Sequence, residues 1–308
     1  MILEPYKKTI LVTGSNGLLG QKLIHALRHR KDITLIASSK GENRISETSG
    51  YIYEALDITS EDNTHRVISK YLPHTIIHTA AMTNVDACEI NQKECFEINV
   101  KGTENLIKSA ESIKEHSPHF IHLSTDFIFD GKSGPYKEED IPNPLSWYAN
   151  TKLQSEKIVM QSKLNWAIAR TIIVFGTAEK ISRTNIVLWA IENLKNNKEL
   201  NIVNDQYRTP TLAEDLADAC IRIADKNAGG IFHISGKDFM SIYEMVIRIA
   251  NYFNYDASLV KPISSEGLKQ PAKRPPKTGF HIQKAIDYLG FKPHSFEEAI
   301  ELVANQIK

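Results

Sequence analysis

The chain has 308 residues, enough to bury a large core and to form two domains. Lysine plus arginine and aspartate plus glutamate number 37 each, a balance with no general drive toward nucleic acid or an anionic membrane, so neither is expected as a partner. The three cysteines (Cys88, Cys95 and Cys220) stand in no metal spacing, the N-terminal MILEPYKKTILVTG has no signal-peptide pattern, and no apolar run nears the ~20 residues of a membrane helix, so a cytoplasmic protein with free thiols is expected.

In chain order, TILV (9–12) reads as a buried strand. TGSNGLLG (13–20) follows it and opens a helix over LLGQKLIHALRHR, with Leu19, Leu23, Ala26 and Leu27 expected on its inner face. Strands are expected at 33–37 and 51–56. TSEDNTHRVISKYL opens with capping residues and continues as a helix. A strand at 75–78, a long helix over roughly 92–115, a strand at 120–123, a helix covering Tyr148 and Lys152, and a strand at 166–170 follow. Beyond residue 176 the alternation loosens into amphipathic helices, NIVLWAIENLKNN and LAEDLADACIRIA. Ser241 with Glu244 and Ser295 with Glu298 read as capping boxes, and 254–280, containing PAKRPPKTG, reads as a long irregular stretch. Strand–helix alternation predicts an α/β fold, a Rossmann-type doubly wound parallel sheet with a smaller, mainly helical C-terminal substrate-binding domain.

The glycine loop carries the first chemistry. Gly14 allows a tight turn, Gly17 lets the backbone approach a pyrophosphate at the helix N-terminus, and Gly20 allows close helix–strand packing. A nicotinamide dinucleotide is the expected ligand. After the second strand, where an acid would bind the ribose of NADH, the chain has ASSKGENR. Ser38, Ser39, Lys40 and Arg44 suit a 2′-phosphate, so NADPH is expected, while Glu42 leaves NADH open. Residues 1–175 are then the expected NAD(P)-binding domain, with 213–235 packing back onto it, and 176–308 the substrate-binding region. His119 and His122 would point to opposite faces of a strand, and His74 and His78, about 13 Å apart at ~3.3 Å per residue, are too far apart to share a metal, so no metal site is expected.

WYANTKLQSE places Tyr148 one helical turn from Lys152. The spacing alone decides nothing, since Tyr288 and Lys292 repeat it, though there Gly290 intervenes and Pro293 follows, so that pair is not expected on one helix face. Context decides for the first pair. A tyrosine of pKa ~10 exchanges protons poorly near neutrality, and a cation one turn away would favour its phenolate and lower that value.

The glycine loop, AAMTNVDACE, INVKGTENL, LSTDFIFDG, GPYKEEDIPNPLSWYANTK and DQYRTPTLAEDLA occur in that order over nearly the whole chain. Together they resemble an extended short-chain dehydrogenase/reductase and, more narrowly, the dTDP-4-dehydrorhamnose reductase family. The resemblance implies that Tyr148 delivers a proton to the C4 carbonyl oxygen of a nucleotide sugar. Lys152 supports that tyrosine and holds the nicotinamide ribose, Thr125 donates to the reacting oxygen, and Asp126 orients the site. It implies cofactor contacts at Gly14, Asn16, Gly17, Leu18, Asp57, Ile58, Ala80, Ala81 and Met82, with Asn99 linked to the lysine through water. On the substrate side it implies Thr125, Asp126, Tyr148, Asn185, Gln206, Arg208 and Arg274, with the two arginines converging on a diphosphate; the competing reading of Arg208 is a structural partner of a local carboxylate such as Asp205. Ala149 and Arg208 stand where the family often has glycine, and the latter leaves the sugar nucleotide open. STDFIFDG favours the reductase branch over other sugar-nucleotide reductases and epimerases. A non-catalytic NADP-binding regulatory subunit, like the β-subunit of methionine adenosyltransferase, is the alternative of another class. A homodimer is left open.

Overall fold

A computed structural model describes residues 7–307; the first six residues of the N-terminal stretch read above, and Lys308, lie outside the described residues. The order of elements is β1 (Lys8–Thr13), α1 (Leu18–Leu27), β2 (Ile33–Ser39), β3 (Ile52–Ala55), α2 (Glu61–Tyr71), β4 (Thr75–His78), α3 (Gly102–Glu111), β5 (His119–Thr125), α4 (Trp147–Gln161), β6 (Asn165–Thr171), α5 (Ile186–Lys195), α6 (Ala213–Lys226), β7 (Gly230–His233), α7 (Ile242–Phe253) and α8 (Phe296–Gln306). The seven strands form one parallel sheet in the order β7-β6-β5-β4-β1-β2-β3. The strands read as apolar runs because the sheet is covered on both faces. One face packs against α1 and α6 through Leu23, Ile24, Leu27, Leu216 and Cys220, and the other against α2, α3 and α4 through Val67, Ile68, Leu106 and Val159. A separate cluster joins α5, α7 and α8 in the C-terminal half. No helix among the described residues is long and apolar enough to cross a membrane.

Several expectations change. On α1 the buried stripe is Gly20, Leu23, Ile24 and Leu27, the i, i+3, i+4, i+7 pattern, so Ile24 faces the core and Ala26 is exposed. The helix expected over 92–115 stops at Glu111 and is interrupted: a π-turn at Glu97–Lys101 separates Gln92–Phe96 from α3. A short helix, Val85–Ile90, precedes it, started by the Asn84 carboxamide accepting from Ala87 N. Strand β7 had no counterpart in the sequence reading. The stretch 254–280 is not wholly irregular, since Val260–Ile263 pairs in parallel with Leu200–Val203. Ser295 and Glu298 form the reciprocal capping box, whereas at Ser241 only the half in which its hydroxyl accepts from Glu244 N is made.

Gly20, in the first turn of α1, has little freedom to change. A Cβ on Gly20 would lie 2.3 Å from Gly14 O and 2.6 Å from Ser15 Cα, both backbone atoms that cannot step aside. Gly20→Ala is therefore expected to destabilise the fold by about 1–3 kcal/mol, the usual scale of overpacking. Urea unfolding at constant slope checks it, and an unchanged midpoint would remove close helix–strand contact as the reason for this glycine.

Candidate active site

The strands end at one level. Thr13 of β1 is in register with Ser38 of β2 and with His78 of β4, and Thr125 of β5 with Thr171 of β6. Beyond these carboxyl ends lies one cleft of about 910 Å³. Every candidate residue named from the sequence lines it except Met82 and Asn99.

On the glycine side, Gly14 has φ +72°, and a Cβ there would lie 2.6 Å from Ala80 N, so the turn and the loop after β4 touch through backbone alone. Gly17 caps α1 with no side-chain hydrogen bond, which leaves first-turn amides aimed at the cleft. Ser15 Oγ is buried without a partner among the described residues. Asn16 has a role the sequence did not suggest. Its Nδ2 donates to Glu42 O (2.8 Å) and its Oδ1 accepts from Arg44 N (2.9 Å), so it holds the loop after β2. At the end of β2 Ser38 is buried and donates to Val12 O, and in the loop beyond it Lys40 pairs with Asp57 at 2.7 Å and the Arg44 guanidinium donates to Lys180 O. Burial raises the Asp57 carboxyl, but Lys40 and the Thr59 hydroxyl and amide outweigh it and leave it below its ordinary value.

Asn99 sits on the π-turn, fully buried. Its Oδ1 accepts from Met82 N (2.8 Å), and its Nδ2 donates to Met82 O (3.1 Å) and Thr151 Oγ1 (3.1 Å). Asn99 thus clamps the backbone of Met82 behind the wall of the cleft and reaches Thr151, the residue before Lys152. π-turns commonly mark such functional positions.

Ser146 caps α4 by accepting from Ala149 N, which sets Tyr148 and Lys152 in the first two turns. Tyr148 packs in an apolar cluster with Cys88, Cys95 and Phe127, the last edge-on at 6.2 Å between ring centroids. The expected lowering of its pKa is corrected. Burial pushes the phenol well above its ordinary value, and the neighbouring Thr125 hydroxyl only partly opposes it. The lysine one turn on does not offset this burial; its Nζ lies 3.3 Å from His122 Nε2. Burial in turn pushes Lys152 down to about 8, against the favourable charges of Glu156 and Cys95.

Thr125 donates to Asp126 Oδ1 (3.1 Å), and Thr278 donates a short hydrogen bond to Asp126 Oδ2. Burial raises the Asp126 carboxyl, with the Arg208 cation and these two hydroxyls opposing. Arg208 is 1% exposed. It donates to the carbonyls of Tyr207 (2.7 Å), Pro276 (3.1 Å) and Pro275 (2.6 Å), and its Nε lies 3.6 Å from Asp126. Its carboxylate partner is thus Asp126, not Asp205, which accepts from Ser264 and Ser265. Arg274 lies close enough to depress Arg208 but forms a bidentate pair with Asp86 (3.1 and 2.6 Å). The two arginines are neighbours, but each is bound within the protein rather than open to a diphosphate. Asn185 is likewise committed, accepting from Leu188 N as a helix cap and donating to Gly176 O. Gln206 is buried at the cleft wall. Unforeseen in the sequence, Arg183 lines the rim, exposed, its charge acting on the Asp86 carboxylate that Arg274 pairs with.

A parallel sheet with a glycine turn after its first strand, and with threonine, tyrosine and lysine at the carboxyl edge of the fifth strand and the helix after it, defines a Rossmann-type short-chain dehydrogenase/reductase. The chain belongs to the family described as the RmlD substrate binding domain, whose model matches residues 8–308. It is 32% identical over 272 residues to the methionine adenosyltransferase 2 subunit beta of Bos taurus, covering 86% of this chain and 78% of that protein. It is 31% identical over 304 residues to the dTDP-4-dehydrorhamnose reductase of Aggregatibacter actinomycetemcomitans, covering 95% and 97%. The crystal structure of dTDP-4-dehydrorhamnose reductase from Bacillus anthracis in complex with NADP matches with a TM-score of 0.82 at 26% identity, over 98% of this chain and 100% of that one.

Removing Arg208 strands the Pro275 carbonyl and takes the cation from the buried Asp126 carboxylate, while the carbonyls of Tyr207 and Pro276 keep the amides of Thr278 and Tyr207. Arg208→Met is expected to lower stability by about 3–5 kcal/mol, the cost of leaving one partner of a buried pair. Denaturant unfolding at pH 7 measures it, with Arg274→Met, a more exposed pair, as the milder comparison. Equal, small losses would make Arg208 a ligand-facing residue after all.

Proposed function

We propose that this protein reduces the 4-keto group of a nucleotide sugar with NADPH, and that dTDP-4-dehydro-L-rhamnose, giving dTDP-L-rhamnose, is its substrate. The observation that carries the reading is Thr125, Tyr148 and Lys152 together at the strand ends beside the glycine turn. The nicotinamide dinucleotide fits the chain's own groups: Gly14 without a Cβ, the uncapped amides of α1, and the unpartnered Ser15 hydroxyl. When bound it supplies the hydride. Residues 1–175, with 213–235 against them, are the cofactor domain, and 176–308 hold the sugar nucleotide.

Burial keeps Tyr148 a neutral phenol, which suits the direction of reaction. The oxygen left after hydride addition is an alkoxide, a far stronger base than a phenolate, so the phenol donates its proton without first being made more acidic. Thr125 donates to the same oxygen once its single hydroxyl proton turns from Asp126 Oδ1, where it rests in this structure, toward the substrate. Lys152 as an ammonium holds ribose hydroxyls and stabilises the phenolate that results. Arg183, exposed on the rim, is the better candidate than Arg208 for the diphosphate.

A second reading has a specific observation behind it, the 32% identity to a methionine adenosyltransferase β-subunit. Following NADPH oxidation optically with a panel of 4-keto-sugar nucleotides separates the two. Turnover is expected, and Tyr148→Phe should lower kcat by about 10²–10⁴-fold with NADPH Kd little changed. NADPH binding without turnover on any panel member would favour the regulatory reading, and full turnover in the Phe variant would sink the tyrosine assignment.

NADPH is expected to be preferred over NADH. Because Lys40 must leave Asp57 to meet a 2′-phosphate, Lys40→Ala with Arg44→Ala should raise KM for NADPH and leave that for NADH unaltered. A tenfold preference of the wild type for NADH, about 1.4 kcal/mol, overturns this.

A further inference from the structure

Beneath the catalytic edge two histidines stand side by side on adjacent strands, His78 on β4 and His122 on β5, in register and with ring centroids 5.3 Å apart. Both are buried. His78 is fixed by its neighbours. Thr103 Oγ1 donates to Asn99 O (2.8 Å), so it accepts from His78 Nε2–H (3.2 Å), and His78 Nδ1 accepts from Thr13 Oγ1 (2.7 Å).

His122 is not fixed in this way. Its Nε2 lies 3.0 Å from Ser155 Oγ and 3.3 Å from Lys152 Nζ, and its Nδ1 has no partner among the described residues. Ser155 Oγ donates to Lys152 O (2.7 Å), which makes it an acceptor toward the ring. Two arrangements therefore compete for one nitrogen. With the proton on Nε2, the ring donates to Ser155 and offers nothing to the lysine. With the proton on Nδ1, the Nε2 lone pair accepts from the Lys152 ammonium. Each leaves Nδ1 unpaired, so neither is favoured by that end of the ring.

We propose that His122 is a positioning residue for the reduction, a neutral imidazole whose Nε2 lone pair accepts from Lys152 and holds it as an ammonium at the nicotinamide-ribose side of the cleft. The proposal rests on the reading of Lys152 as the residue that holds that ribose. The other groups facing Lys152 do not serve in its place. Glu156 spends its charge on Arg170, hydrogen-bonded at 3.0 and 2.8 Å; the Cys95 sulfur, held below its ordinary pKa by Cys88, Thr151 and Lys152, is tied to Thr151 and Asn99; Tyr148 is a neutral phenol. Burial and the Lys152 charge keep His122 itself neutral, and burial holds His78 neutral behind it.

The pH dependence follows. Lys152 is an ammonium below about 8 and loses its proton above it, so function that needs the ammonium is full on the acid side and falls as pH rises through that value. Taking away the acceptor disfavours the ammonium and moves this fall to lower pH by about one pH unit, a tenfold change and the scale of one charge-assisted hydrogen bond.

The test titrates Lys152 directly by NMR of full-length protein labelled with ¹³C-lysine, its signal assigned by loss in Lys152→Arg. His122→Phe is expected to lower the Lys152 midpoint, and His122→Gln, which restores an acceptor, to recover it. Ser155→Ala, a small change that keeps the fold if the ring variant does not, removes the competitor for Nε2 and is expected to raise the midpoint. Identical midpoints in the wild type and Ser155→Ala, or in the wild type and a folded His122→Phe, overturn the proposal. In the steady state, the alkaline limb of kcat/KM should move with the NMR midpoint while the Tm of the variants does not track it. Failure of wild-type turnover on every keto-sugar nucleotide would sink the proposed reduction while leaving the NMR answer standing.

Discussion

Everything in the cleft depends on where the parallel strands stop. A parallel register brings Thr13, Ser38 and His78 to one level, so three backbones must turn away from the sheet at the same height. β1 lies between β2 and β4, and the crossovers that reach those neighbours leave in opposite directions. A crevice opens there because no connection can cover it. The positive φ of Gly14 and the contact between Gly14 and Ala80 are the local terms of that constraint, for the turn after β1 and the loop after β4 must pass within backbone distance.

The second organising effect is burial of charge. A cation out of water needs a partner, and the molecule supplies three kinds. Arg170 has a carboxylate, Glu156, in a pair almost wholly shielded from solvent. Arg208 has one distant carboxylate and three carbonyls. Lys152 has no such pair: its hydrogen-bond partner is the neutral His122 ring, and Glu156 and Cys95 oppose burial only in part, so desolvation moves it toward neutrality. Asp126 joins this network to Thr125, so the loop carrying Pro275, Pro276 and Thr278 is bonded, through one carboxylate, to the carboxyl end of β5.

The doubly wound sheet was legible because strands covered on both faces are continuous apolar runs and the helices between them are amphipathic. Gly230–His233 was not, being short and opening after a glycine pair, and its place at the sheet edge comes from β6 rather than from its own pattern. The glycine turn and the tyrosine–lysine pair were legible because each is a local motif. The surroundings that set their chemistry are not local. Arg208 meets carbonyls 67 and 68 positions away, and Lys152 meets a histidine 30 positions away. A strand histidine such as His122 gives no sign in one dimension of what its ring will face, and nothing in the sequence around Asn99 shows that its carboxamide grips Met82.

That grip is made from the π-turn at Glu97–Lys101, and it ties length to function in a way a regular helix would not. Each residue of a helix advances the side chains by about 100° around the axis. Deleting one residue here would restore even winding but rotate Asn99 relative to Thr103, Leu106 and Ile107, which are packed downstream. Either the clamp or the core contact would be lost. The segment is therefore intolerant of a one-residue change in length on grounds of phase alone, even where every side chain is kept, whereas an exposed loop of equal size would absorb it.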